Sequence, residues 1–200
     1  MTAAGRKERA DAVRNREAVL AAAARLLDAA DDPGDVSMND IAAAAGVGKG
    51  TPFRGFGDRI GLLQALVEQR GERLRAELAA GESSSGPVER ATAMLDAILR
   101  FKLANRSLML ALENAGSGSP YRNSTYDRWH RHLAEIVAEV HRPDDADYLA
   151  HALLAAVRSD LIEHLGDQPP ERTRDGLACL VRVVLAGDPA GRAPEPDRPR

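Results

Sequence analysis

Residues 37–58 read SMNDIAAAAGVGKGTPFRGFGD, and this stretch decides the fold. Ser37 stands where a helix N-cap belongs, Asp40 follows three residues on as an acidic first-turn residue, and residues 41–45 run to Gly46. Gly46-Val47-Gly48 supplies a tight turn, because glycine tolerates the positive φ that often follows a helix end. A second short helical segment occupies residues 49–56, and Gly57-Asp58 breaks the chain again. Two helices of about eight residues joined by a glycine turn bury too little surface to stand alone, so they must pack on flanking helices. This is the layout of a helix-turn-helix, in which the first short helix crosses the DNA backbone and the second presents its N-terminal side chains to the major groove. Ile41 and Val47 are expected to be buried between the two helices, and the alanines at 42–45 to let them approach closely. Lys49, Thr51 and Arg54 are expected to face outward, a cation, a hydroxyl and a guanidinium suited to phosphate and base-edge contacts.

The flanks read as helices. Val19, Ala22, Ala23, Leu26 and Leu27 recur at helical spacing until Asp31-Asp32-Pro33-Gly34 stops the pattern, while residues 1–12 lack an apolar stripe and are expected to form a flexible arm. Arg6, Lys7, Arg9, Arg14 and Arg16, interleaved with Glu8, Asp11 and Glu17, fit either a solvated arm or phosphate and minor-groove contacts. Downstream, Leu63, Leu66, Val67, Leu74 and Leu78 mark one long fourth helix, and residues 81–87 form a Gly/Ser loop. Val88, Ala91, Leu95, Ile98 and Leu99 line a fifth, residues 108–112 a buried sixth that ends at 116–120, and Trp129, Leu133, Ile136, Val137 and Val140 a seventh. One helix across positions 149–161 and another carrying Leu177, Leu180, Val181 and Val184 complete about nine. The Pro- and charge-rich residues 187–200 read as a disordered tail.

Composition agrees with an all-α fold: 44% hydrophobic residues with only 4% aromatics, and alanine-rich segments suited to close helix packing. Cys179 is the single cysteine, which excludes an intrachain disulfide and a cysteine-built zinc site. No segment approaches the ~20 apolar residues of a membrane span, so a cytoplasmic protein without membrane partners is expected. A net charge of -3 is compatible with one small DNA-binding face on a neutral or acidic body.

The residues of the decisive stretch also resemble the TetR family of bacterial regulators. The resemblance rests on Ile41-Ala42, Ala45-Gly46-Val47, Lys49-Gly50-Thr51, Phe53-Arg54, Phe56 and Leu62-Leu63, in order and at the family's spacing, and it covers about the first sixty-five residues. It implies a homodimer, a palindromic double-stranded DNA operator and a small-molecule ligand that releases a repressor. DNA contacts are expected from Ser37, Met38, Lys49, Gly50, Thr51, Phe53, Arg54 and Arg59. Pro52 stands where the family prefers leucine, Gly48 where it has a serine cap, and Gly55 where it commonly has histidine, whereas Arg59 keeps a cation near the family's lysine. Proline is tolerated only in the first turn of a helix, so the recognition helix is expected to begin at Gly50 or Thr51.

Phe101, Met109, Glu113, Asn114, Tyr121, Tyr126, Trp129 and His130 concentrate aromatics and scarce polar groups, the composition of a ligand pocket. Leu149, Leu153, Leu154, Val157 and Leu161, with Leu177, Leu180, Val181 and Val184, are expected at a dimer interface, since alanines at 146, 150, 152, 155 and 156 leave more apolar circumference than one buried face requires. The resemblance points to the same two helices forming a four-helix bundle across a twofold axis. His130 and His132 point to nearly opposite sides of a helix and are read as polar surface or pocket residues, so no metal and no cofactor is expected. His151, Ser159 and Asp160 are of triad type, but no nucleophile elbow surrounds Ser159, and catalysis is set aside. The expectation is an all-α regulator with an N-terminal three-helix DNA-binding domain at 13–57 and a helical ligand-binding and dimerisation domain at 58–186. The alternative is a helical protein-binding adaptor or small helical enzyme without DNA binding.

Overall fold

The computed structural model describes residues 3–80, 85–115, 121 and 124–186. Among them every regular element is helical: α1 (Ala3–Ala29), a 3-10 turn (Pro33–Asp35), α2 (Met38–Ala44), α3 (Gly50–Phe56), α4 (Arg59–Arg70), α5 (Glu72–Ala80), α6 (Pro87–Ala104), α7 (Arg106–Ala115), α8 (Ser124–Val137), α9 (Pro143–Ala155), α10 (Ser159–His164) and α11 (Pro170–Leu185). The loop expected at 81–87 is described from residue 85 on, the helix stop at 116–120 and the tail at 187–200 lie outside the described residues, and no described helix is long and apolar enough to cross a membrane.

Two of the expected helices are each split. The fourth stops at Arg70, where Gly71 takes the terminal position and its N–H bonds Val67 O at 2.8 Å before α5 begins. Glycine loses the most backbone entropy inside a helix, so a break there costs least. The helix expected across 149–161 ends at Ala155, because Arg158 is extended (φ -67°, ψ 144°) and its guanidinium, with the Leu161 N–H, engages Asp160 to start α10. Residues 3–12, expected as a flexible arm, instead continue α1. Alanine-rich sequence and an Arg14–Asp11 ion pair one turn apart favour that extension.

The chain divides into two compact units, one drawing on Met1–Ala76 and Arg100–Asp127, the other on Glu77–Leu99 and Arg128–Arg200. In the first, α1, α2, α3 and α4 pack on one another, and α7 packs on α4, on α1 and on the 3-10 turn. Val19, Ala22, Ala23 and Leu27 of α1, Ile41 and Ala42 of α2, Leu62, Leu63 and Leu66 of α4 and Leu108 of α7 are its buried core. Arg70 holds this unit together from the side: it forms a bidentate pair with Asp28 of α1 (2.7 and 3.1 Å) and donates to Asn105 Oδ1 (3.1 Å), whose amide in turn donates to Phe101 O (2.8 Å). In the second unit Leu95, Ile98 and Leu99 of α6, Leu133 and Val137 of α8, Leu153 of α9 and Val181 of α11 are buried, and α9 packs on α11. An Arg90–Glu139 ion pair, which holds the Glu139 carboxyl below its ordinary range, and an Arg174–Asp96 pair at 3.1 Å lie at its surface.

Candidate DNA-binding surface and regulatory elements

The N-terminus of α2 is closed by a complete capping box. The Ser37 hydroxyl accepts from the Asp40 N–H (3.2 Å) and donates to the Asp40 carboxylate (2.6 Å), which also accepts from the Ser37 N–H (3.0 Å). Those bonds from Ser37 hold the Asp40 carboxyl below its ordinary pKa of 3.8. At the other end Gly46 takes φ 67°, with Gly46 N–H on Ala43 O (3.1 Å) and Val47 N–H on Ala42 O (3.1 Å), the paired bonds of a Schellman stop. The turn thus satisfies the last carbonyls of α2 and sends the chain into α3. Ile41 and Ala42 are buried as expected, whereas Val47 is half-buried and Ala43 and Ala44 are exposed, so close approach rests on Ala42.

The recognition helix α3 begins at Gly50, as the proline requires, and Pro52 is its third residue, buried. Lys49, Gly50, Phe53 and Arg54 are exposed and Thr51 is half-buried, which puts cationic, hydroxyl and aromatic groups on an accessible surface. Two residues differ from expectation, and a third settles into a role that neither of its readings named. Met38 is only 7% exposed and belongs to the core of its unit, so its place is packing rather than DNA contact. Arg59 points inward: its guanidinium donates to Val36 O and Pro33 O, clamping the start of α4 to the turn before α2. Arg16, left between two readings by the sequence, donates to Gly55 O at 3.0 Å and lies 4.3 Å over the Phe56 ring, tying α1 to the C-terminal end of the recognition helix. No sequence periodicity reports such a contact, because it links positions far apart in the chain.

Of the residues expected at a ligand pocket, Phe101, Met109, Glu113, Tyr121 and Tyr126 fall in the first unit, and Trp129 and His130 in the second. Glu113 pairs with Lys102 at 2.8 Å, and both are nearly buried (13% and 7% exposed), a charge pair on α6 and α7 that the sequence reading missed because Lys102 looks like an ordinary polar residue near a helix end. Met109 is buried, and Tyr121 and Tyr126 meet edge-to-face with ring centroids 5.2 Å apart. Asn114 lies on α7.

The expected interface residues separate by side. Leu153, Leu154, Val157, Leu177 and Val181 are buried within a single chain, so they are core, and Leu149 and Val184 are half-buried. Leu161 and Leu180 remain 37% exposed, joined by Tyr148 at 74% and Val183 at 71%. On α11 the exposed Gly176, Cys179, Leu180 and Val183 fall on one helical face by their spacing, opposite buried Leu177, Val181 and Leu185. His130 on α8 stacks on His151 of α9, centroids 3.8 Å apart, beside Asp147. Burial, then the neighbouring His130, lowers the His151 pKa, and Asp147 opposes them.

A capped short helix, a left-handed glycine turn and a second short helix with its cations outward, all held by a long first helix, define a helix-turn-helix DNA-binding protein. Comparison with known proteins agrees. A model of the family described as "Bacterial regulatory proteins, tetR family" matches residues 19–66. The chain is 29% identical over 160 residues to an HTH-type transcriptional regulator, SAR0097, of Staphylococcus aureus strain MRSA252, covering 78% of this chain and 84% of that protein. It is 41% identical over 78 residues to the HTH-type transcriptional repressor LfrR of Mycolicibacterium smegmatis, covering 39% of this chain and 40% of LfrR. Its fold matches the crystal structure of AibR in complex with isovaleryl coenzyme A and operator DNA, with a TM-score of 0.57 at 19% identity over 88% of this chain and 100% of AibR. Residues 19–66 thus carry a DNA-binding domain of the tetR-family type, and over most of its length the chain is similar to HTH-type transcriptional regulators.

Proposed function

We propose that the protein is a homodimeric repressor of the cytoplasm that leaves a palindromic operator when a small molecule binds. Residues 13–57 serve as the DNA-binding domain and 58–186 as the regulatory one. Lys49, Gly50, Thr51, Phe53 and Arg54 meet the DNA, with Ser37 at the head of α2 beside the backbone. Arg59 and Arg16 act indirectly, by fixing the two ends of the helix-turn-helix. The observation that carries this reading is the exposed N-terminal end of α3 presented by a closed α2 and turn. The repressor name of LfrR and the ligand and operator in the AibR crystal support the sign and the inducer.

The ligand site is assigned to α6 and α7 around Phe101, Met109 and Glu113, where a nearly buried charge pair offers polar groups inside an apolar setting. Ligand and operator then act by linkage: each favours a different conformation, and each weakens binding of the other. The subunit contact is assigned to the outward face of α11 (Cys179, Leu180, Val183) with Tyr148 and Leu161, since that apolar surface is the part not used by the chain's own core.

DNA binding is tested by alanine at Lys49 and at Arg54. Each removes a phosphate partner, so affinity for every duplex should fall and the slope of log K against log salt should decrease by roughly one. A folded double variant with unchanged affinity and slope would refute the assignment.

A further inference from the structure

We infer that His130, Asp147 and His151 form a binding site for a divalent first-row transition metal, with Zn2+ the fitting ion. Asp147 and His151 are four residues apart on α9, a spacing that stacks two donors on one helical face. His130 comes from α8 to meet them: its Nε2 is 3.5 Å from Asp147 Oδ1, and its ring stacks on that of His151. Donor atoms of the three residues all lie within 4.8 Å of one another. Tetrahedral zinc with bonds of ~2.0–2.1 Å needs donors about 3.3 Å apart, and rings stacked at 22° cannot both aim an in-plane lone pair at one ion, so closure requires the 67%-exposed Asp147 side chain to rotate and one imidazole to turn about its Cβ–Cγ bond out of the stack. The Nε2 of His130 now donates to Asp147 O at 3.1 Å, and the tautomer with its proton on Nδ1 turns that nitrogen into a ligand.

The donor set decides the ion. Two imidazoles and a carboxylate suit zinc, nickel or cobalt rather than calcium or magnesium, which take oxygen ligands. Three protein ligands leave the fourth tetrahedral position to water or to another molecule, the pattern of an open site rather than a closed structural one. The site belongs wholly to the second unit and does not depend on DNA binding.

The test uses the full chain, freed of metal by chelation, titrated with Co2+ as a spectroscopic probe and then with Zn2+ in competition. The expected result is a visible tetrahedral Co2+ spectrum at one ion per chain, displaced by Zn2+. Asp147→Asn and His151→Gln should each weaken binding at least about tenfold, as loss of a ligand costs no less than loss of its supporting shell. Asp144→Asn, an exposed carboxylate on the same helix, should bind as the wild type does. Binding no tighter than about 1 mM, or equal affinity in wild type and both ligand variants, overturns the site. Because the readout is the metal alone, either result leaves the assignment of the DNA surface standing.

Discussion

Replacing Pro52 by leucine tests how the recognition helix starts. Gly50 is the first residue of α3 and Pro52 the third, so the N–H that proline lacks is among the four that have no partner within any helix. The carbonyl four residues back belongs to Gly48, outside the helix, where it accepts from the Thr51 N–H at 2.8 Å. Leucine therefore gains no hydrogen bond and relieves no clash. It loosens the unfolded chain, which costs about 0.4–1 kcal/mol, and adds one buried carbon, worth about 0.8 kcal/mol if the pocket accepts it. These terms oppose each other, and the net change should stay within about 1 kcal/mol, some 2 to 4 °C in Tm for a chain of this size. Operator affinity should change less than about tenfold, equivalent to roughly 1.4 kcal/mol. The assay is thermal unfolding beside a DNA titration. Stabilisation near the ~3 kcal/mol of a relieved interior proline, roughly 6 to 12 °C, would show that the helix begins earlier and that Lys49 and Thr51 approach the groove at another angle.

Charge on α11 should separate core from interface. Leu180→Glu or Val183→Glu is expected to give folded monomers with sharply reduced operator binding, whereas Val181→Glu should unfold the chain; a dimer persisting in sedimentation of both exposed-face variants removes that assignment. Ser37→Ala should lower stability by about 1 kcal/mol through loss of the α2 cap, read by denaturant unfolding. Since the folded pKa of Asp40 lies below its unfolded value near 3.8, its share of the cap is fully present above that value and is lost as pH falls through the lower folded one; amide exchange in α2 that weakens already between pH 7 and 5 contradicts this.

The helix-turn-helix was legible because its signals are local. A cap at Ser37, a stop at Gly46 and a first-turn limit on Pro52 each follow from a few neighbouring residues, and the structure places all three as read. Helical periodicity also found the apolar stripes, but it could not say which apolar face meets its own chain and which faces outward. Leu180 and Val181 are neighbours of equal apolar character, and both were expected at the interface. Only the folded chain, with α11 packed on α9, separates them: Val181 is interior and Leu180 is left open. Contacts between distant positions were equally silent. Arg16 on Gly55, Arg59 on Val36 and Lys102 on Glu113 depend on tertiary approach. His130 was weighed against His132, its neighbour in sequence, while its neighbours in space are Asp147 and His151.

The packing of α7 on α4, α1 and the 3-10 turn has a consequence during translation. A ribosome that has released residues through Arg70 has made every residue assigned above to the proposed DNA surface, yet the face of α4 that α7 covers stays open until Ala115 emerges. At ~5–20 residues per second that interval lasts roughly 2 to 9 s, long enough for a chaperone to engage the exposed leucines. A message truncated just after α4 would therefore yield a fragment for degradation rather than a free operator-binding domain, and a premature stop there should behave as a simple loss of function, recessive to an intact copy.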